Sequence, residues 1–134
     1  MVAAFDLGVT TGIALMTQDY GLRSTMACSV EELPEQLHAA REYRMVFEAP
    51  LLVGRGELQR QLEDITLAVR KFTEEEAVFD PVWISPSQWK PSPAGIILVP
   101  KGLTQHERDA IRIAAWYVKY ILKSGNIPSM IEYS

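Results

Sequence analysis

The chain opens on an apolar run that ends in a carboxylate. Val2-Ala3-Ala4-Phe5-Asp6 is followed by Leu7-Gly8-Val9-Thr10-Thr11-Gly12 and by a second apolar run, Ile13-Ala14-Leu15. Runs of four to eight β-compatible residues bounded by turn residues form strands, so this stretch predicts a β-hairpin. Asp6 is the constraint. A carboxylate rarely sits at the end of an apolar strand unless it is paired or bound to a metal. Taken alone, Asp6 fits a turn residue before Gly8, a nucleotide-binding loop or a metal ligand.

At 134 residues the chain is long enough for one core, and we expect a single domain over 1–134. Charged residues make up 22% and apolar residues 48%, the balance of a soluble globular protein. No apolar run approaches the roughly 18–20 residues that cross a membrane, so no membrane partner is expected. The first residues lack the basic segment of a secretory signal. The single Cys28 excludes an internal disulfide and suits a reducing cytoplasm as a small apolar side chain. The net charge of −4 does not advertise a nucleic-acid binder, although a local basic patch can coexist with an acidic whole.

The rest of the chain alternates strands and helices. Leu22–Cys28 reads as a third strand. Ser29-Val30-Glu31-Glu32 is a capping box for a helix to about Glu42, with Ser29 as its cap. Arg44–Glu48 is a strand that again ends in a carboxylate. Leu58, Leu62, Ile65, Val69 and Phe72 recur at helical spacing and predict a helix over about Glu57–Phe72. Val82–Ile84 is a short strand. The prolines Pro86, Pro91 and Pro93 argue for a loop after it. Ile96–Val99 reads as an extra strand or a flap within the 91–103 segment. Thr104-Gln105-His106-Glu107 is a second capping box, and the last helix runs to about Lys123, with Gly125 as its stop signal. This order implies a mixed sheet with helices on its faces.

Glu48 repeats what Asp6 announces, and His106 and Asp109, three apart on the last helix, share the face of Ala110, Ile113 and Tyr117. That face packs on a sheet, so the helix would carry an imidazole and a carboxylate toward Asp6 and Glu48. Three carboxylates that close raise one another's pKa unless a cation compensates. Oxygen-rich sets select Mg²⁺ or Mn²⁺, the latter tolerating the histidine nitrogen better.

The joint pattern resembles the RuvC-type Holliday-junction resolvases of the RNase H-like (retroviral-integrase) superfamily. Phe5-Asp6-Leu7-Gly8 with Thr11-Gly12 is similar to the opening motif, Leu7 replacing the usual proline. Val46-Phe47-Glu48 is similar to the fourth strand. Trp83-Ile84-Ser85-Pro86-Ser87-Gln88-Trp89-Lys90 is similar to the fifth strand and its continuation, and His106-Glu107-Arg108-Asp109 to the closing motif. The resemblance implies an α/β RNase H-like five-stranded mixed sheet, order 3-2-1-4-5, with flanking helices. It implies a crossover junction endodeoxyribonuclease that nicks four-way or other branched DNA by two-metal phosphodiester hydrolysis. Asp6 would contact both Mg²⁺ ions, Glu48 one, and His106 with Asp109 the other. A homodimer is implied, built in the family around the helix after strand four; here the apolar stripe of that helix serves the core or the interface. The compact chain is similar to phage-encoded members, which act in the bacterial host cytoplasm. Arg55, Arg60, Lys90, Lys101, Arg108 and Arg112 are the candidate phosphate contacts, and Trp89 is the stacking candidate, although a tryptophan between prolines is at least as often a packing anchor. The alternatives are a ribonuclease H or YqgF-like RNA-directed nuclease of the same fold. An actin-like ATPase fragment shares the Asp-x-Gly-x-Thr-x-Gly hairpin, but that fold needs a second phosphate loop.

Overall fold

The computed structural model describes residues 1–50, 56–96 and 99–122. Its sheet contains β1 (Val2–Asp6), β2 (Thr10–Met16), β3 (Leu22–Ser29), β4 (Arg44–Glu48) and β5 (Val82–Ile84) in the order β3-β2-β1-β4-β5. The first three strands are antiparallel neighbours, whereas β4 runs parallel to β1 and β5 parallel to β4. Parallel neighbours need crossovers. Here α1 (Leu33–Ala39) precedes β4 and α2 (Glu57–Glu76) links β4 to β5. The short α3 (Pro86–Trp89) and the long α4 (Gln105–Tyr120) follow. The mixed sense is that expected from the alternation of elements, and the order is that implied by the family resemblance.

Side chains alternate across a strand, so each strand feeds two cores. Val2, Ala4, Ala14, Met16, Val46 and Ile84 pack against α4 and Trp89. Ala3, Phe5, Ile13, Met45 and Phe47 pack against α1 and α2, through Leu33, Leu37, Ile65 and Val69. Of the α2 stripe, Ile65 and Val69 are buried, whereas Leu58 is 60% exposed.

Several element boundaries differ from expectation. Ser29 and Glu32 do exchange the bonds of a capping box, Ser29 N to Glu32 Oε1 at 3.1 Å and Glu32 N to Ser29 Oγ at 3.3 Å. They close a turn, and the helix starts at Leu33, with Pro34 in the first turn where its missing N–H costs nothing. Helix α2 continues past Phe72 to Glu76 because the glutamates after the apolar stripe are good helix formers. The predicted loop after β5 contains α3. Pro86 occupies its first turn, and Gln88 Oε1 accepts from Ser85 N at 2.8 Å. Ser85-x-x-Gln88 is a capping box the proline count obscured. Helix α4 ends at Tyr120; Lys123 and Gly125 lie outside the described residues, as do Ile97 and Leu98 of the proposed extra strand.

Candidate active site

Register and parity build the site. Asp6 and Glu48 are Cα partners at the carboxyl ends of the parallel strands β1 and β4. Both continue the even-numbered rows of Val2 and Ala4, and of Val46, that face α4. The sheet therefore delivers two adjacent carboxylates to one face, at the edge where α4 begins.

Helix α4 is anchored at that edge by its cap. Thr104 accepts from Glu107 N at 3.3 Å, and Glu107 Oε1 accepts from Thr104 N at 3.3 Å. The other oxygen of Glu107 accepts from Thr25 on β3 at 2.7 Å. Gly12, directly opposite Asp6 on β2, lets the helix come close. A Cβ at Gly12 would stand 2.0 Å from the His106 carbonyl oxygen. Thr11 shapes the hairpin turn, its hydroxyl donating to Gly8 O at 3.3 Å. Gly12 instead makes room for the helix that carries His106. Its parity with Asp6 was the available signal.

With α4 seated, His106 Nδ1 lies 3.4 Å from Asp6 Oδ2. Asp6 is 15% exposed at its side chain and His106 47%, so the pair sits on the rim of the sheet rather than beneath the helix. Burial raises the Asp6 pKa, the Asp109 charge raises it further, and His106 pulls it back. Burial pushes Glu48 up to about 7. The Trp89 indole opposes that rise, and the charges of Asp6 and Asp109 add to it. Lys90 lowers both carboxylates. Asp109 itself accepts from Gln105 Nε2 at 2.8 Å.

Asp6, Glu48, His106 and Asp109 thus meet electrostatically at one place. Among the described residues no three His, Cys, Asp or Glu side chains are arrayed as ligands. Glu48 is turned to the Trp89 indole and Asp109 to Gln105. The donor chemistry fits a hard divalent cation: two neighbouring carboxylates carry raised pKa values, with a third acid and an imidazole alongside. Rotation of Glu48 and Asp109 about their side-chain torsions would be needed to bring all four groups onto it.

The candidate DNA contacts separate into groups. Arg60, Lys101 and Arg108 are exposed, Lys90 is exposed beside the acids, and Arg55 lies outside the described residues. Trp89 takes the packing role of its two readings, not the stacking one. It is 1% exposed and gives its indole N–H to Glu48 Oε2, so it is a packed part of the site and not a free stacking surface. Arg112 is likewise engaged within the protein. It donates to Lys90 O at 2.8 Å and Ser92 O at 3.3 Å, and its guanidinium lies 4.9 Å from the Trp89 ring centroid.

No family model matches the sequence, and no curated protein matches it. Solved structures do. A T. thermophilus RuvC in complex with a Holliday junction substrate superposes with a TM-score of 0.70 at 17% identity, covering 91% of this chain and 94% of that one. A second Thermus thermophilus RuvC structure gives 0.62 at 16% identity, over 92% and 96% of the two chains. The chain has a RuvC-type, RNase H-like fold.

Proposed function

We propose that this chain is a metal-dependent, structure-selective endonuclease that nicks four-way or other branched DNA, working as a homodimer. The observation that carries the reading is the in-register pair Asp6 and Glu48, met by His106 and Asp109 from the first turns of α4. The RuvC-type fold supports the same reading, and the junction bound to one of its structural neighbours supports the substrate class.

Asp6, Glu48, His106 and Asp109 would hold two Mg²⁺ ions, with Mn²⁺ as the alternative. The chemistry supplied by such a bound pair is activation of water and stabilisation of the leaving oxygen. Asp6, nearest the middle of the sheet, would be shared; Glu48 would serve one ion and His106 with Asp109 the other. Lys90 stands close enough to Asp6 and Glu48 to lower both their pKa values, and so would receive a phosphate drawn to the acids. Arg60, Lys101 and Arg108 would neutralise further phosphates, and Arg55 is kept as a candidate from the sequence alone. Two opposed nicks require two sites, hence the dimer. Among the described residues no helix is long and apolar enough to cross a membrane.

The test is cleavage of a synthetic four-way junction, a flap, a duplex and an RNA–DNA hybrid with Mg²⁺ or Mn²⁺. Paired symmetric nicks in the junction that vanish in Asp6→Asn are expected, with a dimer by light scattering. Cleavage of the hybrid alone would move the assignment to a ribonuclease H. Full activity in both Asp6→Asn and Asp109→Asn would remove the metal site.

A further inference from the structure

We propose that Trp89 is the positioning residue of this site: its indole N–H fixes the Glu48 carboxylate at the end of β4, and Arg112 holds the indole in place. The consequence for cleavage rests on the nuclease reading above; the geometry stands without it.

A buried indole N–H needs an acceptor. Trp89 has spent it on a carboxylate oxygen and not on a backbone carbonyl, a charge-assisted bond that sets rotation as well as distance. Glu48 Oε2 takes the indole proton, and Oε1 has no hydrogen-bond partner among the described residues. The indole is fixed in turn. The Ser85–Gln88 cap starts α3, and Trp89 is its last residue. Arg112 lies over the ring and ties down the carbonyls of Lys90 and Ser92. Gly95, at φ +81°, lets the segment run against α4; a Cβ there would meet Arg112 Cα and the Ala115 methyl at 2.9 Å. Helix α4 thus serves the site twice, directly through His106 and Asp109 and indirectly through Arg112, Trp89 and Glu48.

The chain has three tryptophans, so ¹⁵N-labelled protein shows three indole N–H signals. The Trp89 signal, identified by its loss in Trp89→Phe or by elimination with Trp83→Phe and Trp116→Phe, should shift in metal-free Glu48→Ala and on adding Mg²⁺ to the wild type. Calorimetry should show Mg²⁺ affinity about tenfold weaker in Trp89→Phe. The kcat on a four-way junction should fall by a similar factor with KM unchanged. Arg112→Met should weaken Mg²⁺ about threefold. A Trp89 signal indifferent to Glu48→Ala, or wild-type Mg²⁺ affinity in folded Trp89→Phe, overturns the proposal. A wild-type protein that binds Mg²⁺ but cuts no nucleic acid overturns the nuclease reading alone, and the indole and calorimetric results still decide the role of Trp89.

Discussion

The two faces of the sheet are made by alternate residues of the same strands, yet they do different work. On the α1/α2 face, Phe5, Phe47 and Trp83 stack in a row across β1, β4 and β5, with successive ring centroids 4.9 Å apart. An apolar cleft of about 350 Å³ between α1 and α2 lies on that side, lined by residues such as Leu33, Leu37, Ile65 and Val69. No member of the acid set belongs to it. On the α4 face Met16, Tyr20, Ile84 and Trp89 fill the core, but Ala4, Gly12 and Ala14 are small, and at Gly12 the helix backbone comes close. That face ends in Asp6 and Glu48. Both faces bury a core, but only on the α4 side does a glycine let a helix bring polar groups to the strand ends. Alternate residues of one strand thus serve packing on one face and the acid pair on the other.

Substitutions on the two faces should part these roles. Phe47→Ala removes the middle ring of the row and should cost about 3–5 kcal/mol in denaturant unfolding. The cleavage rate per folded molecule should stay near wild type. A rate loss larger than the unfolded fraction explains would break the contrast. Gly12→Ala places a methyl against the His106 carbonyl and should cost about 2–3 kcal/mol as α4 is pushed outward. Here activity should fall much further than stability does. Equal loss of both would mean that Gly12 matters only for packing.

Glu48→Gln should have the opposite sign. The Glu48 pKa is raised by burial to about 7, above its ordinary value of 4.5. Between those values the folded state holds a proton that the unfolded state has released. That stability is fully present below about pH 4.5 and is lost as pH rises through 7. Glu48→Gln should therefore match wild type near pH 4 and exceed it by on the order of 1–2 kcal/mol at pH 8, while abolishing cleavage. Thermal melts across pH decide this; a variant less stable than wild type at pH 8 would contradict the burial cost assigned to the carboxylate. The smallest effect belongs to the α4 cap. Thr104→Ala should cost about 1 kcal/mol by thermal melt, with a modest rate loss as the turn carrying His106 frays. No change in either would show that Glu107, through Thr25, anchors the helix alone.

Much of this architecture was legible in the residues. The hairpin, the strands ending at Asp6 and Glu48 and the Thr104–Glu107 cap follow from local patterns that the fold obeys, and the sheet order is the one the family resemblance of those motifs implies. The three prolines mask α3, because proline breaks a helix interior but is tolerated in the first turn, where Pro86 sits. Trp89 stays open between stacking and packing for a related reason. A tryptophan between prolines has no periodic context, so nothing local tells a packed ring from an exposed one. Arg112 stands among the candidate phosphate contacts in the sequence because its partners, the carbonyls of Lys90 and Ser92, are backbone groups that leave no mark on sequence.

Local residue patterns alone fix which residues end which strands, and strand parity then puts Asp6, Gly12 and Glu48 on one face. That α4 reaches this face close enough to set His106 against Asp6, and that Trp89 turns inward to Glu48, is a product of the packed fold. Both depend on contacts between segments far apart in the chain, where short-range periodicity carries no information and the fit of a glycine, a carbonyl and an indole settles the outcome.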